Sequence, residues 1–171
     1  MSSSPSSDFV GFYSALRPRM TRVAIVITGD RGRAEDAVQV GFSRAFASWG
    51  RVKKADDPAA YVRRIVINAA LAEARKASRR NEVPTESVER HAAEPMSSHD
   101  PEARADLLTA IATLPPRQRA IVVLRYYEDL SEAQIADTLG CRPGTVKSQA
   151  SAALKSLRAR LGDSYELRGT R

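Results

Sequence analysis

Two stretches of this chain carry side chains suited to holding a polyanion. From Arg142 to Leu161 the basic residues are Arg142, Lys147, Lys155, Arg158 and Arg160, and no acidic residue interrupts them. From Tyr61 to Arg80 the basic residues are Arg63, Arg64, Arg75, Lys76, Arg79 and Arg80, against the single acid Glu73. At helical spacing Tyr61, Arg64, Asn68 and Arg75 fall near one face. A ring can stack on a base, an amide can bond its edge and guanidiniums can meet phosphates, which together suit single-stranded nucleic acid. A solvated basic face with a half-buried tyrosine fits the same residues, and both readings stay open.

Bond-making chemistry finds little support. His91 and His99 lie in a Pro- and Ser-bearing stretch without the spacing of paired helical ligands, and no nucleophile elbow, Walker A or Rossmann glycine pattern occurs. Cys141 is the one cysteine, which excludes a disulfide framework and a Cys-rich zinc site. A partly buried structural thiol suits it better than a nucleophile activated by a helix N-terminus. The sequence therefore predicts no enzyme, no cofactor, no metal and no small-molecule substrate. Net charge is +7, from 27 Lys and Arg against 20 Asp and Glu, which favours a polyanionic partner. No apolar run approaches the ~20 residues of a membrane helix. Residues 1–7 lack the charged and apolar regions of a signal peptide and are expected to form a disordered tail. The expected location is the cytoplasm, without membrane insertion.

The elements that must position these residues are helices. Hydrophobic residues make up 43% of the chain and aromatics 6%, a composition for small Ala-, Leu- and Val-based bundles. The predicted fold is all-α: two small helical domains, at 8–80 and 101–163, joined by a flexible linker at 81–100 and followed by a tail at 164–171. In the first, Phe9, Phe12, Tyr13, Leu16, Met20, Val23 and Ile27 recur at helical spacing, and Gly29-Asp30 interrupts them. A second helix is expected from about Arg33 to Trp49, with Val38, Phe42, Ala45, Phe46 and Trp49 inward. Glu35, Asp36, Gln39 and Ser43 face outward, and Gly50 is the expected stop. Pro58 opens a third helix, with Val62, Ile65, Val66 and Ala69 inward. The linker holds Glu82, Glu86, Glu89, Glu94, Asp100 and Pro84, Pro95. An acidic shield for the basic domains, a tether that crosses a basic channel in a larger machine, and a plain soluble spacer all fit it, the spacer at least as well as the others.

In the second domain Leu107, Leu108, Ile111 and Leu114 form one stripe, and Pro115-Pro116 starts a helix carrying Ile121, Leu124 and Tyr127. Ser131 to Gln134 fits a capping box, Gly140 fits a left-handed helix end, and Pro143 begins another helix with Val146, Ala150, Ala153, Leu154, Leu157 and Leu161 inward. A short helix, a glycine turn and a longer helix of one charge sign read as a DNA-binding helix-turn-helix.

Taken in order, the motifs resemble a known family. Gly29-Asp30, Ala34 through Phe42, Trp49 and Pro58 through Asn68 are similar to region 2 of the extracytoplasmic-function (group IV) sigma factors of RNA polymerase. Leu114-Pro115, Arg117 through Arg119, Leu124 through Tyr127, Ile135-Ala136, Leu139 through Cys141 and Gly144 through Ser148 resemble their region 4. The likeness is strongest to the short actinobacterial group. It implies a protein that binds core polymerase and directs promoter-specific initiation under an anti-sigma factor. It further implies that Glu35, Asp36 and Gln39 dock on the β′ clamp helices, and that region 4 meets the β flap. Tyr61, Arg63, Arg64, Asn68 and Arg75 would meet the −10 element as a single strand. Arg142, Thr145, Lys147, Ser148 and Ser151 would meet the −35 element as duplex.

The chain departs from the family pattern at three places. Arg142 stands where a Ser-like cap is usual, a loss of about 1 kcal/mol. Ala152 replaces a common arginine, and Ala69 through Glu73 replaces a bulkier stretch. One rival reading is a two-domain helix-turn-helix regulator that never recruits polymerase; it leaves the Glu35 and Tyr61 faces unexplained. Another is an interaction module that only titrates an anti-sigma factor; it would tolerate acids in the Pro143 helix.

Overall fold

The computed structural model describes residues 5–82 and 101–162. Every regular element among them is a helix: α1 (Pro5–Thr28), α2 (Arg31–Ala47), α3 (Trp49–Val52), α4 (Pro58–Arg79), α5 (Pro101–Ala112), α6 (Pro116–Tyr126), α7 (Glu132–Leu139) and α8 (Pro143–Leu161). The all-α expectation holds. α1 begins at Pro5, so residues 5–7 are helical where a tail was expected. Proline is tolerated in a first helical turn, and Asp8 in that turn meets the positive end of the helix dipole. Most of the expected linker (83–100, with His91 and His99) and the 164–171 tail lie outside the described residues.

In the first half α1, α2 and α4 pack on one another. Met20, Val23 and Ile27 of α1 meet Ala34, Val38 and Phe42 of α2 and Val62, Val66 and Ile67 of α4, all buried. Gly29 turns the chain at φ 69, and the Asp30 carboxylate accepts from Arg33 N at 2.8 Å to cap α2. α2 and α4 approach so closely at Gly41 that a Cβ there would stand 2.3 Å from Val66 Cγ2.

Three expectations about these helices need correction. Phe46 is 56% exposed, its ring lying 4.9 Å from that of Phe9 at the rim of an aromatic cluster. α2 ends at Ser48, whose hydroxyl donates back to Arg44 O, a bond that competes with the helix ladder. Buried Trp49 then opens the separate turn α3, which contains Gly50. Ile65 is half-exposed and Ile67 takes the inward place, because the buried stripe runs through Val62, Val66, Ala70 and Ala74 and a 100° step per residue turns position 65 away from it and position 67 toward it.

In the second half Leu107, Leu108, Ile111 and Leu114 pack with Ile121, Leu124, Ile135, Val146, Ala153 and Leu157. Leu154 and Leu161, expected inward, are half-buried. The capping box forms: Gln134 N donates to Ser131 Oγ at 3.2 Å, and Ser131 N donates to Gln134 Oε1 at 2.9 Å. Gly140 closes α7 at φ 63, and α8 starts after Arg142.

The two halves touch. α1 packs on α5 and α6, α4 packs on α6 and α7, and the buried side chains of both halves join in one cluster. No helix among the described residues is long and apolar enough to cross a membrane.

Candidate nucleic-acid interface

The structure presents α8 as the sequence required. Arg142, Thr145, Lys147, Ser148 and Ser151 are all exposed, while Val146, Ala150 and Ala153 anchor the opposite face. Arg142 holds the cap position without a side-chain cap bond, so its guanidinium is not committed to its own helix end. The first-turn amides of α8, the positive dipole end and Arg142 together favour an anion at this terminus. Ser148 Oγ donates to Thr145 O at 3.1 Å, which leaves its lone pairs to accept. Ala152 is exposed and adds no donor. Cys141, at the turn before α8, is half-buried.

On α4 the expected residues divide. Tyr61, Arg64 and Asn68 line one groove of about 620 Å3 between α2 and α4, together with Asp36, Val40 and Arg44. Tyr61 is 37% exposed, so part of its side chain is open to solvent. Arg75 lies farther along α4 and lines a second groove with Lys76, Arg79 and Pro116. Arg63 points elsewhere: its side chain is 12% exposed and turned toward the second half. On a helix, position 63 is about 160° away from Tyr61 and about 140° away from Asn68, as a 100° step per residue dictates.

Asp36 and Gln39 are exposed on α2, whereas Glu35 is half-buried and paired with Arg31 at 2.8 Å. Asp36 also lines the Tyr61 groove, so the acidic-polar face of α2 and the Tyr61–Asn68 face of α4 are contiguous. Spacing along each helix gives no reason to join the two faces or to add Val40 and Arg44 to them. The available signal was Val40, an apolar residue one turn from Asp36 on the outward side of α2, and 39% exposed.

Where the halves meet, Glu128, Arg19, Arg22 and Asp137, unremarked in the sequence, come together with residues of α4. Glu128, just after α6, is 5% exposed. Its carboxylate lies 2.6 Å from Arg19 Nε of α1 and 3.7 Å from Arg63 Nη1 of α4. Arg22 Nε donates to Tyr127 Oη at 2.9 Å. Arg64 Nη1 stands 3.6 Å from Asp137 Oδ1, and Asn68 Nδ2 donates to Thr138 O at 3.1 Å. Arg63 Nε is buried without an acceptor. Arg119, buried within α6, has its pKa lowered by desolvation and donates to Ala112 O at 3.4 Å, a structural role. No grouping of His, Cys, Asp and Glu among the described residues could hold a metal ion.

Comparison with known proteins gives the same two-part division. Residues 12–80 match the family described as Sigma-70 region 2, and residues 104–157 match Sigma-70, region 4. The chain is similar to the RNA polymerase sigma-E factor of Streptomyces coelicolor, 31% identical over 154 residues, 90% of this chain and 86% of that one. It is also similar to the ECF RNA polymerase sigma factor SigL of Mycobacterium tuberculosis, 34% identical over 146 residues, 82% of this chain and 81% of the other. Among solved structures it resembles the sigma factor RpoE of Bartonella quintana, crystallised in complex with the anti-sigma factor NepR. The TM-score there is 0.73 at 26% identity, over 92% of this chain and 99% of that one.

Proposed function

The chain belongs to the extracytoplasmic-function sigma factors of RNA polymerase, and on that premise we propose how its residues divide the work. A sigma factor binds core polymerase and gives it promoter specificity, so this chain directs initiation at promoters with −10 and −35 elements. Asp36 and Gln39, with Glu35 behind its Arg31 partner, dock on the β′ clamp helices, and region 4 meets the β flap. Tyr61 stacks on an unpaired base of the −10 strand and Asn68 bonds a base edge. Arg64 and Arg75 serve its phosphates, whereas Arg63, expected from the resemblance to do the same, faces Glu128 across the junction. α8 enters the major groove of the −35 element with Arg142, Thr145, Lys147, Ser148 and Ser151.

The observation that carries this reading is the N-terminal half of α8. Arg142 at the cap and four polar or basic side chains on the helix itself stand exposed, with the opposite face buried and no carboxylate on the helix. The neighbour solved with an anti-sigma factor supports control of this chain by a protein of that kind. The chain itself catalyses nothing and works in the cytoplasm beside the polymerase. The test is assembly: Glu35→Lys with Asp36→Lys should lower recovery of the chain on immobilised core polymerase and abolish run-off transcription, while helical content stays the same. Unchanged assembly would remove these residues from the docking surface.

A further inference from the structure

The last turn of α4 concentrates charge that the −10 reading uses only in part. Arg75, Lys76, Arg79 and Arg80 are exposed there, and Ser78 stands exposed among them. Arg75, Lys76, Ser78 and Arg79 line one groove of about 530 Å3, together with Ala72 and Pro116. Arg75 lies three residues from Ser78 and four from Arg79, so the three side chains are neighbours on the helix surface. Among the described residues neither Arg75 nor Arg79 has a carboxylate partner, whereas Lys76 is tied to Glu73 at 2.6 Å and Arg80 stands 3.9 Å from Glu82. The Ser78 hydroxyl makes no hydrogen bond to any described residue, while its carbonyl accepts from Asn81 N at 3.2 Å. α4 ends at Arg79, and Asn81 turns the chain at φ 53. A terminal turn opens at little cost in free energy, so this hydroxyl can enter the cleft of a modifying enzyme.

We propose that Ser78 is a phosphorylation site for a serine/threonine kinase that selects basic residues ahead of its acceptor, and that the phosphate withdraws the end of α4 from nucleic acid. The second part rests on the assignment of Arg75 to the −10 strand. Arg75 and Lys76 precede the hydroxyl by three and two positions, a charge pattern complementary to a carboxylate-lined kinase cleft. In the transfer Ser78 Oγ attacks the γ-phosphorus of ATP. The Oγ–P bond forms, the bond from that phosphorus to the β–γ bridging oxygen breaks, ADP leaves, and the hydroxyl proton passes to the kinase's catalytic aspartate. The phosphoserine carries about −1.5 to −2 charges at neutral pH and stands among four cations. It meets the negative end of the α4 dipole, which disfavours it. The guanidiniums of Arg75 and Arg79, neighbours on the same surface, offset this with charge-assisted hydrogen bonds. Those bonds occupy the donors that a strand would need, so the fold tolerates the phosphate while the nucleic-acid face loses two contacts.

The site is tested on the full chain recovered under acid from the cells that encode it. Cleavage at Glu73 and Glu82 releases the 74–82 peptide for mass spectrometry. A fraction one phosphate heavier, with fragment ions placing the group on Ser78, is expected. Absence of phosphate from Ser78 in growing and in starved cells overturns the site. The consequence is tested with full chain treated with ATP and a purified kinase whose substrates carry arginine three residues before serine, and with a short single-stranded DNA of randomised sequence as probe. Two lost phosphate contacts should make the salt slope shallower by about 1.4 and weaken binding about tenfold at moderate salt. Ser78→Ala, treated in the same way, should bind as the untreated chain does. Circular dichroism checks that helix content is the same in all samples. Equal affinity and slope with and without the phosphate overturn the withdrawal. Arg75→Ala in the unmodified chain should weaken the same probe. If it does not, the −10 assignment of Arg75 falls, while a phosphate found on Ser78 still establishes the site.

Discussion

Region 2 and region 4 both offer basic faces for nucleic acid, yet they stand in different states. On α8 every proposed −35 residue is exposed. On α4 three of the five expected −10 residues are engaged by the other half. The same residue types therefore mean different things: on α8 they are ready donors, on α4 they are donors already satisfied. A charge pattern reports what a face can bind, while its partners in the fold decide when. The physical difference lies in what each face is set against. α8 packs with its apolar side onto α5, α6 and α7 and leaves its polar side to solvent. α4 lies between α2 on one side and α6 and α7 on the other.

The contrast can be broken most strongly through the cores. Ile67 of α4 and Ile121 of α6 are each fully buried, one in each half, and truncation of either to alanine should cost about 2–5 kcal/mol. Because the buried residues of both halves form one cluster, each substitution should lower a single shared thermal transition. Two separate transitions, each moved by one variant alone, would mean that the halves are independent and the contrast merely one of exposure.

A smaller effect sharpens the comparison on the α8 side. Lys147→Ala should relax the preferred sequence at one −35 position by about 1–3 kcal/mol if the ammonium meets a base edge. If it meets a phosphate instead, all sequences weaken alike and the salt slope falls by about one. Selection on randomised −35 duplexes separates the two.

The smallest expected effect concerns the start of α8. Arg142 occupies the cap position without a cap bond. Arg142→Ser should stabilise the fold by up to about 1 kcal/mol, read as a higher melting temperature, while weakening −35 binding. A stabilised variant with full binding would free Arg142 from any DNA role.

Much of the molecule was legible because it is built from short-range rules. The Ser131–Gln134 box, the Gly140 turn and the Pro143 start form as read, and the Leu107 to Leu114 stripe is buried as its spacing required. The failures cluster where a local rule competes with packing. Gly50 sits inside a helical turn because Ser48 broke the ladder first. Phe46 faces outward, 56% exposed, with its ring 4.9 Å from that of Phe9, a contact between helices that spacing along α2 does not report. On α4 the groove residues Tyr61, Arg64 and Asn68 came together as helical spacing predicts, and Arg63 did not, being half a turn away.

The sequence by itself determined the helices, their caps and the charge carried by each face, since these depend on residues three and four apart. Only the tertiary structure decided which of those charges are free. Arg19 and Glu128 are separated by 109 positions, and Asn68 and Thr138 by 70. No periodicity reaches that far. Burial of the apolar faces of α1 and α4 against α6 brings these groups within bonding distance, and a buried carboxylate then takes the guanidiniums that surround it.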